Sequence, residues 1–538
     1  MSRIADRGER RRPAAQSRRA GKARRDIGIG SKGGANGSDA WMEATGKIAH
    51  RGPRGRPRPA SAVLARPEGL AVTVMGLGLF GGGVGAASYF ARRGAHVTVT
   101  DLKQAEALAP SLEALEGLDI TFHLGGHRPA DFTEADLVVV SPAVPKTSPY
   151  LAMAAEAGVP VTSEMNLFVA LCPAPLVGVT GSSGKSTTTA LLGEMLARFR
   201  PTRVGGNIGK SLLDEVHEIG PDETVVLELS SFQLEDLAAI ERSPHVAVVT
   251  CISPNHLDRH GTMAAYVAAK KNILRFQGRE DVAILNADDA EVRTWDAQTR
   301  GRAVFYSVKE ALDDGAFLKG TELVLRLGGT EERVDLAGRV RLRGRHNLAN
   351  VLASATAARW LGAPVETILS AVEAFRPLPH RLQVIGRVGD VLFVDDSKAT
   401  TPESARAGME AFDRGVVLIA GGYDKHVDPE VLLKAIRTGT RAVVLMGATA
   451  EALARALEGN GPPVERAKDM DDAVRRAARL AKAGDVVLLS PGHASWDMFD
   501  SFEHRGDAFR RAAEALGLEA VAAENEREVG SSGLAGTI

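Results

Sequence analysis

The sequence is poor in several things, and each shortage excludes something. Its 538 residues hold two cysteines, Cys172 and Cys251. That is too few for a disulfide framework and fits a reducing, cytoplasmic setting. No run of 18 apolar residues occurs, so no membrane span is expected. Net charge is nearly absent too, with 66 Lys and Arg against 67 Asp and Glu. The balance is uneven along the chain. Residues 1–70 carry 17 basic and 6 acidic side chains, and the remainder 49 and 61. The acidic body argues against a nucleic-acid-binding surface covering it.

The opening stretch, with Arg10-Arg11-Arg12 and the arginines from Arg51 to Arg58, has no apolar h-region. It is therefore no signal peptide. Nor can it bury enough apolar surface to offset the entropy of ordering. A disordered basic extension is expected over 1–68, and a disordered tail over 521–538. Over the whole chain, 44% apolar and 25% charged residues are ordinary for soluble globular protein. The length suggests three or four domains at about 150 residues each.

Three segments carry three signatures. In the first, the strand-like run 70–75 leads into Gly76-x-Gly78-x-x-Gly81, a helical stretch, a second strand over 96–100 and Asp101. This is a βαβ start whose glycines allow a tight turn and the close approach of a pyrophosphate. A further strand, 137–140, ends in Ser141-Pro142.

The second segment opens after Pro173-Ala-Pro175. A buried strand, 176–180, runs into Gly181-Ser182-Ser183-Gly184-Lys185-Ser186-Thr187 and a helix to Phe199. Backbone N–H groups of such a loop wrap phosphates, Lys185 reaches the β- and γ-oxygens, and the Ser186 hydroxyl can hold Mg²⁺. The loop is the shorter GxxGKS form, with Val179 where the longer loop has its first glycine. Glu228 ends one strand, a place for a metal ligand. Another strand leads into Asn255-His256-Leu-Asp258-Arg259-His260, and Tyr266 and Lys270 share one helix face at i, i+4. Alternation over 316–343 predicts antiparallel hairpins. A helix follows that carries Asn347 and Asn350 on one face.

The third segment starts near Leu378-Pro-His380-Arg381. Its strands, expected at 391–394, 416–420, 442–446 and 486–489, alternate with helices. Three of them end in polar runs: Asp395-Asp396-Ser397-Lys398-Ala399-Thr400, Gly421-Gly422-Tyr423-Asp424-Lys425 and Ser490-Pro491-Gly492-His493-Ala494-Ser495. Polar groups at successive carboxyl strand ends read as a ligand site. A nicotinamide oxidoreductase would explain the first glycine turn but leaves the Gly-Lys-Ser loop without a purpose.

Taken in order, these motifs resemble the Mur ligases, and most closely their D-glutamate-adding branch. The resemblance covers roughly residues 70–515. It rests on the Gly181–Ser186 loop, Gly205-Gly-Asn207-Ile-Gly209, Leu227-Glu228-Leu-Ser-Ser-Phe-Gln233, the Asn255 and Leu378 runs, and Ser495-Trp-Asp-Met-Phe-Asp-Ser-Phe502-Glu-His-Arg505-Gly506. Departures are Ser182-Ser183 for Thr-Asn, Asn255 for Asp, Thr401 for Asn, and Ala143 for Gly.

The resemblance implies three α/β domains: a Rossmann-like UDP-binding domain (69–172), a central P-loop-type ATPase domain (173–376) and a Rossmann-like amino-acid domain (377–520). It implies ATP at Gly181, Ser182, Ser183, Gly184, Lys185, Ser186, Thr187, Asn347, Asn350 and Arg381. It implies Mg²⁺, two ions, at Ser186, Glu228, His256 and a carbamylated Lys270. Lys185, Glu228, His256 and Lys270 are the expected catalytic set. Gly76, Gly78, Asp101 and Asn207 are expected on UDP-N-acetylmuramoyl-L-alanine, and Lys398, Thr400, Lys425, Ser495 and Phe502 on D-glutamate. It further implies a cytoplasmic monomer acting on small molecules, with no nucleic-acid partner.

Overall fold

A computed structural model describes residues 67–79 and 81–521. The expectations for 1–68 and 521–538 fall, but for residues 67, 68 and 521, outside these. Each of the three segments builds its own sheet.

The first sheet holds β1 (Ala71–Met75), β2 (His96–Asp101), β3 (Ile120–Leu124), β4 (Leu137–Val140) and β5 (Val161–Thr162), all parallel in the order β3-β2-β1-β4-β5. The order reverses between β1 and β4, and ligands of such sheets sit in the crevice beyond the strand ends there. Gly76 follows β1 and Ser141 follows β4. A Cβ on Gly76, whose φ is 86°, would come within 2.9 Å of the Ser141 Cβ. Only glycine lets the two segments meet.

The second sheet holds β6 (Leu176–Thr180), β7 (Thr202–Gly206), β8 (Thr224–Glu228), β9 (Val246–Val249), β10 (Val282–Asn286), β11 (Arg302–Ser307), β12 (Gly315–Lys319), β13 (Glu322–Leu327) and β14 (Thr330–Asp335). Its order is β14-β13-β12-β11-β10-β9-β6-β8-β7, and only the β12–β13–β14 ladder is antiparallel. β6 lies between β8 and β9, so the segments leaving these three strands converge. The central strands are buried throughout and mostly apolar, as a sheet covered on both faces requires. The expected hairpins are present up to Asp335, but the alternation at Val340-x-Leu342 forms no strand. Those two side chains pack, partly buried, on the central core, which imposes the same apolar spacing without a ladder.

The third sheet holds β15 (Gln383–Val388), β16 (Val391–Asp395), β17 (Val416–Ala420), β18 (Ala442–Leu445), β19 (Val464–Arg466) and β20 (Val486–Leu489), in the order β15-β16-β20-β17-β18-β19. The pair β15–β16 is antiparallel and the rest are parallel. β16, β20 and β17 are neighbours, so the polar runs at their carboxyl ends emerge side by side. Among the described residues, no helix is long and apolar enough to cross a membrane.

Candidate active site

The phosphate loop leaves β6 at Thr180 and enters helix α1 (Lys185–Ala197) through Gly184, left-handed at φ 82°. A Cβ on Gly184 would collide with Asn350 Oδ1. Asn350 is fixed there by its own bonds. Its Oδ1 accepts from Thr188 Oγ1 at 3.3 Å, and its Nδ2 donates to Asn347 Oδ1 at 2.9 Å. Asn347 in turn donates to Arg343 O at 2.7 Å. The two amides three apart therefore form one buried prop beneath the loop.

Four side chains expected to act together converge on this loop. Lys185 Nζ donates to Gly181 O at 2.9 Å and Ser182 O at 3.2 Å. Lys270 lies on helix α2 (Met263–Arg275) and is 1% exposed. Its Nζ donates to Gly181 O at 2.9 Å and Thr180 Oγ1 at 3.2 Å. Burial first, and the Lys185 charge second, hold its pKa well below the usual lysine range. The next residue, Lys271, faces elsewhere and pairs with Glu291 at 3.1 Å.

Glu228, 2% exposed at the end of β8, accepts from Asn207 Nδ2 at 3.0 Å through Oε1. Its Oε2 is buried with no hydrogen-bond partner. His256 is left-handed at φ 54° and lies edge-on to Phe232. Burial, then Lys425, Lys185 and Lys270, push its pKa down to about 3, so it is neutral at pH 7.

Among the described residues no three of His, Cys, Asp and Glu are grouped to hold a metal ion. A Mg²⁺ here would depend on the Ser186 hydroxyl and on a modified Lys270 beside Glu228 and His256. The donor set suits a hard cation, and the unpartnered Glu228 oxygen is the kind of buried acceptor such an ion satisfies.

The third domain reaches across to the loop. Arg381 Nη2 donates to Ser186 Oγ at 2.9 Å, while its Nε is buried without a partner. Lys398 lies 4.7 Å from the centroid of the Phe502 ring, and burial lowers its pKa to about 8. Lys425 is 7% exposed, with a pKa likewise lowered to about 8 by burial. Thr400 and Lys425 line a small open cleft with Tyr423, Asp424, Gly492 and His493. Ser495 is buried beside it in sequence, but Lys398, Ser495 and Phe502 do not line this cleft.

The first domain's residues are placed differently from one another. Gly78 is open, with nothing within 4 Å of where its Cβ would be. Asp101 spends both oxygens on the turn, accepting from Gly78 N at 3.2 Å and Lys103 N at 2.9 Å. Both bonds hold the shape of the glycine turn. Asn207 donates to Glu228 Oε1.

Several contacts between residues far apart in the chain, two of them between domains, were not read from sequence. Ser211 packs where a Cβ on Gly85 would be and bonds the carboxylate of Glu164, whose pKa burial raises to about 7. Arg259 donates to Pro142 O and Ala143 O, both at 3.1 Å, tying the His256 loop to the end of β4. His380 bonds Asp395 at 2.7 Å, and the buried Arg505 holds Ser397, His493 and Ala494 together. Arg259, His380 and Arg505 sit inside recognisable motifs, but nothing local in the sequence shows which residues they meet. The departures are accommodated. Ser182 Oγ bonds Ser253 and Tyr266, and Thr401 caps the helix Pro402–Met409.

Fold and site together define a class, a three-domain α/β enzyme whose glycine-rich phosphate-type loop faces the cations of its third domain. Three family models match in order: the Mur ligase MurD-like N-terminal domain over residues 70–163, the Mur ligase middle domain over 179–358 and the Mur ligase glutamate ligase domain over 380–493. The chain belongs to the Mur ligase family. It is 44% identical to the UDP-N-acetylmuramoylalanine--D-glutamate ligase of Roseiflexus sp. (strain RS-1), over 82% of this chain and 98% of that one. The protein of the same name from Symbiobacterium thermophilum is 41% identical, over 80% and 94%. The fold matches the solved UDP-N-acetylmuramate-alanine ligase of Thermotoga maritima with a TM-score of 0.56, at 20% identity, over 83% of this chain and 99% of that one.

Proposed function

We propose that this chain joins D-glutamate to UDP-N-acetylmuramoyl-L-alanine at the expense of ATP, through an acyl phosphate, in the synthesis of peptidoglycan precursors. The observation that carries this reading is the convergence of Lys185, Glu228, His256 and Lys270 from β6, β8, β9 and α2 on one loop, faced by Arg381, Lys398 and Lys425. The long match to ligases of that name supports the substrates.

A carboxylate does not condense with an amine in water unless its oxygen is first made a leaving group. The substrate's alanyl carboxylate attacks the γ-phosphorus of ATP, ADP departs, and the mixed anhydride remains. Lys185 and Arg381 bear on the phosphoryl oxygens, where charge is spread in the transition state. Gly181 to Thr187 offer backbone N–H groups to the phosphates, with Asn347 and Asn350 holding the nucleotide side of the loop. When bound, Mg²⁺ (two ions in this reading) neutralises phosphoryl charge, held by Ser186, Glu228, His256 and the carbamate of Lys270.

Lys398, Thr400, Lys425, Ser495 and Phe502 hold D-glutamate by its two carboxylates and leave its amine free. The amine attacks the acyl carbon, phosphate leaves, and the amide forms. Gly76, Gly78, Asp101 and Asn207 position the UDP-muramoyl part. One copy supplies every group named, so a cytoplasmic monomer suffices.

The test is phosphate release with UDP-N-acetylmuramoyl-L-alanine against a panel of amino acids. D-glutamate is expected to be preferred strongly over D-aspartate, D-glutamine and D-alanine. A better rate with meso-diaminopimelate or L-lysine overturns the assignment of the third domain.

A further inference from the structure

The rim of the third domain's cleft carries large apolar side chains in the open. Trp496 is 58% exposed, Tyr423 41% and Met498 37%. The Trp496 ring lies under Lys425, which is only 7% exposed, and Tyr423 packs on that ring. Two local constraints put the aromatic rings there. Tyr423 N donates to Ala494 O at 2.9 Å, a single antiparallel bridge joining the segment after β17 to the one after β20. Arg505 Nη1 grips the same Ala494 carbonyl at 3.2 Å from below. Gly422, at φ 144°, is needed because a Cβ there would strike Ala494 O. The bridge turns Tyr423 and Trp496 to the same side, with ring centroids 5.6 Å apart at 54°.

The Lys425 ammonium lies 5.7 Å from the Trp496 centroid. It makes no ion pair among the described residues. Lys398, the other lysine of the acceptor site, lies over Phe502 in the same manner, at 4.7 Å. Each lysine therefore rests on an aromatic face where a carboxylate would otherwise be, and an aromatic face attracts a cation without neutralising it. Such a seat keeps the ammonium oriented and largely dehydrated, yet yields it to an incoming anion.

We propose that Trp496, supported by Tyr423, is a positioning residue for acceptor recognition, holding the Lys425 ammonium ready for one carboxylate of the amino acid as Phe502 holds that of Lys398. This rests on the reading of the third domain's strand ends as the D-glutamate site.

The test is steady-state kinetics of the full chain, varying one substrate at a time. W496A should raise the KM for D-glutamate about tenfold, the loss expected of one partly desolvated cation–aromatic contact. The KM for ATP and the kcat should stay within about threefold. W496F should recover most of the loss, because a phenyl face still seats an ammonium. The preference for D-glutamate over D-glutamine should fall in W496A, since the oriented cation reads the second carboxylate. Trp496 is largely exposed, so the variant should fold, and an unchanged ATP KM checks that it has. K425A separates the two ideas. If K425A leaves the D-glutamate KM unchanged, the site reading fails and the proposal with it. If K425A raises that KM while W496A does not, or if W496A raises the ATP KM equally, the proposal alone is overturned.

Discussion

Replacing Lys270 with alanine should destroy turnover while leaving the fold almost as stable as before. The side chain is 1% exposed, and its nitrogen bonds only Gly181 O and Thr180 Oγ1. Neither partner is orphaned by the change, since Gly181 O still accepts from Lys185 and Thr180 Oγ1 still donates to Leu229 O at 2.8 Å. Losing the buried methylenes costs roughly 2–3 kcal/mol at about 0.8 kcal/mol each. Releasing an immobilised lysine returns up to about 2 kcal/mol of side-chain entropy, and the burial of an amine without a counter-ion is relieved as well. The net change in unfolding free energy should be within about 1 kcal/mol.

Activity should fall far more. If the buried amine adds to carbon dioxide, losing a proton to become a carbamate, the side chain becomes an anionic oxygen donor facing Glu228. Removing a group that stabilises phosphoryl charge typically costs 10²–10³ in kcat. Lys271→Ala, which breaks a partly exposed ion pair with Glu291 and a contact with the Trp295 ring, should change neither property beyond about twofold or 1 kcal/mol. The assays are thermal unfolding and phosphate release, with short carboxylic acids added to Lys270→Ala as a rescue. Carbon-13 NMR with labelled bicarbonate should show a carbamate signal in the wild type that is missing from the variant. Near-normal kcat in Lys270→Ala, or no such signal in the wild type, refutes the reasoning.

Lys185→Ala should lower kcat by about 10³ with a nearly unchanged unfolding midpoint, because its ammonium bonds only carbonyls of its own loop. Gly184→Ala should cost about 2–4 kcal/mol of stability in chemical denaturation, combining a left-handed backbone with displacement of the doubly bonded Asn350. The kcat/KM for D-glutamate should fall as pH rises above about 8. Lys398 and Lys425 both have pKa values lowered to about 8, so they are charged below that pH and neutral above it, and a dicarboxylate needs them charged. Lys425 feels Asp258, Arg505 and Lys185, and Lys398 feels Arg381, Glu228, Glu503 and Lys185, so the limb should be broad. A flat profile from pH 7 to about 9 counts against carboxylate recognition by these lysines.

The three sheets were legible because their strands are short apolar runs with polar ends, and the phosphate loop because its glycines and lysine have one geometric use. What the sequence concealed is mostly contact between residues far apart along it. Asp101, twenty residues past Gly81, is marked by spacing alone, and the structure adds that its oxygens accept from Gly78 N and Lys103 N. Lys270 has no local signal either, since a lysine on a helix is ordinarily solvated. Its burial follows from α2 packing under the loop. The same holds for Trp496, an ordinary exposed aromatic until the Tyr423–Ala494 bridge places it beside Lys425. Val340-x-Leu342 misled in the other direction, because alternation records which residues are covered and not what covers them.

The charges around the phosphate loop explain why the chemistry sits at the meeting of two domains. Lys185 and Lys270 belong to the central domain, and Arg381, Lys398 and Lys425 to the third. Lys185 depresses the pKa of Lys270, of Lys398 and of Lys425, and His256 is pushed down by Lys425, Lys185 and Lys270 together. Glu228 is the carboxylate that offsets several of them, raising Lys185, Lys270, Arg381 and Lys398. Without ligands, the third domain's cations are repelled by those of the central domain, and the Arg381–Ser186 bond works against that repulsion. In the proposed reaction a triphosphate and the carboxylates of two acids would enter between these cations, and each would turn a like-charge contact across the boundary into an attractive one.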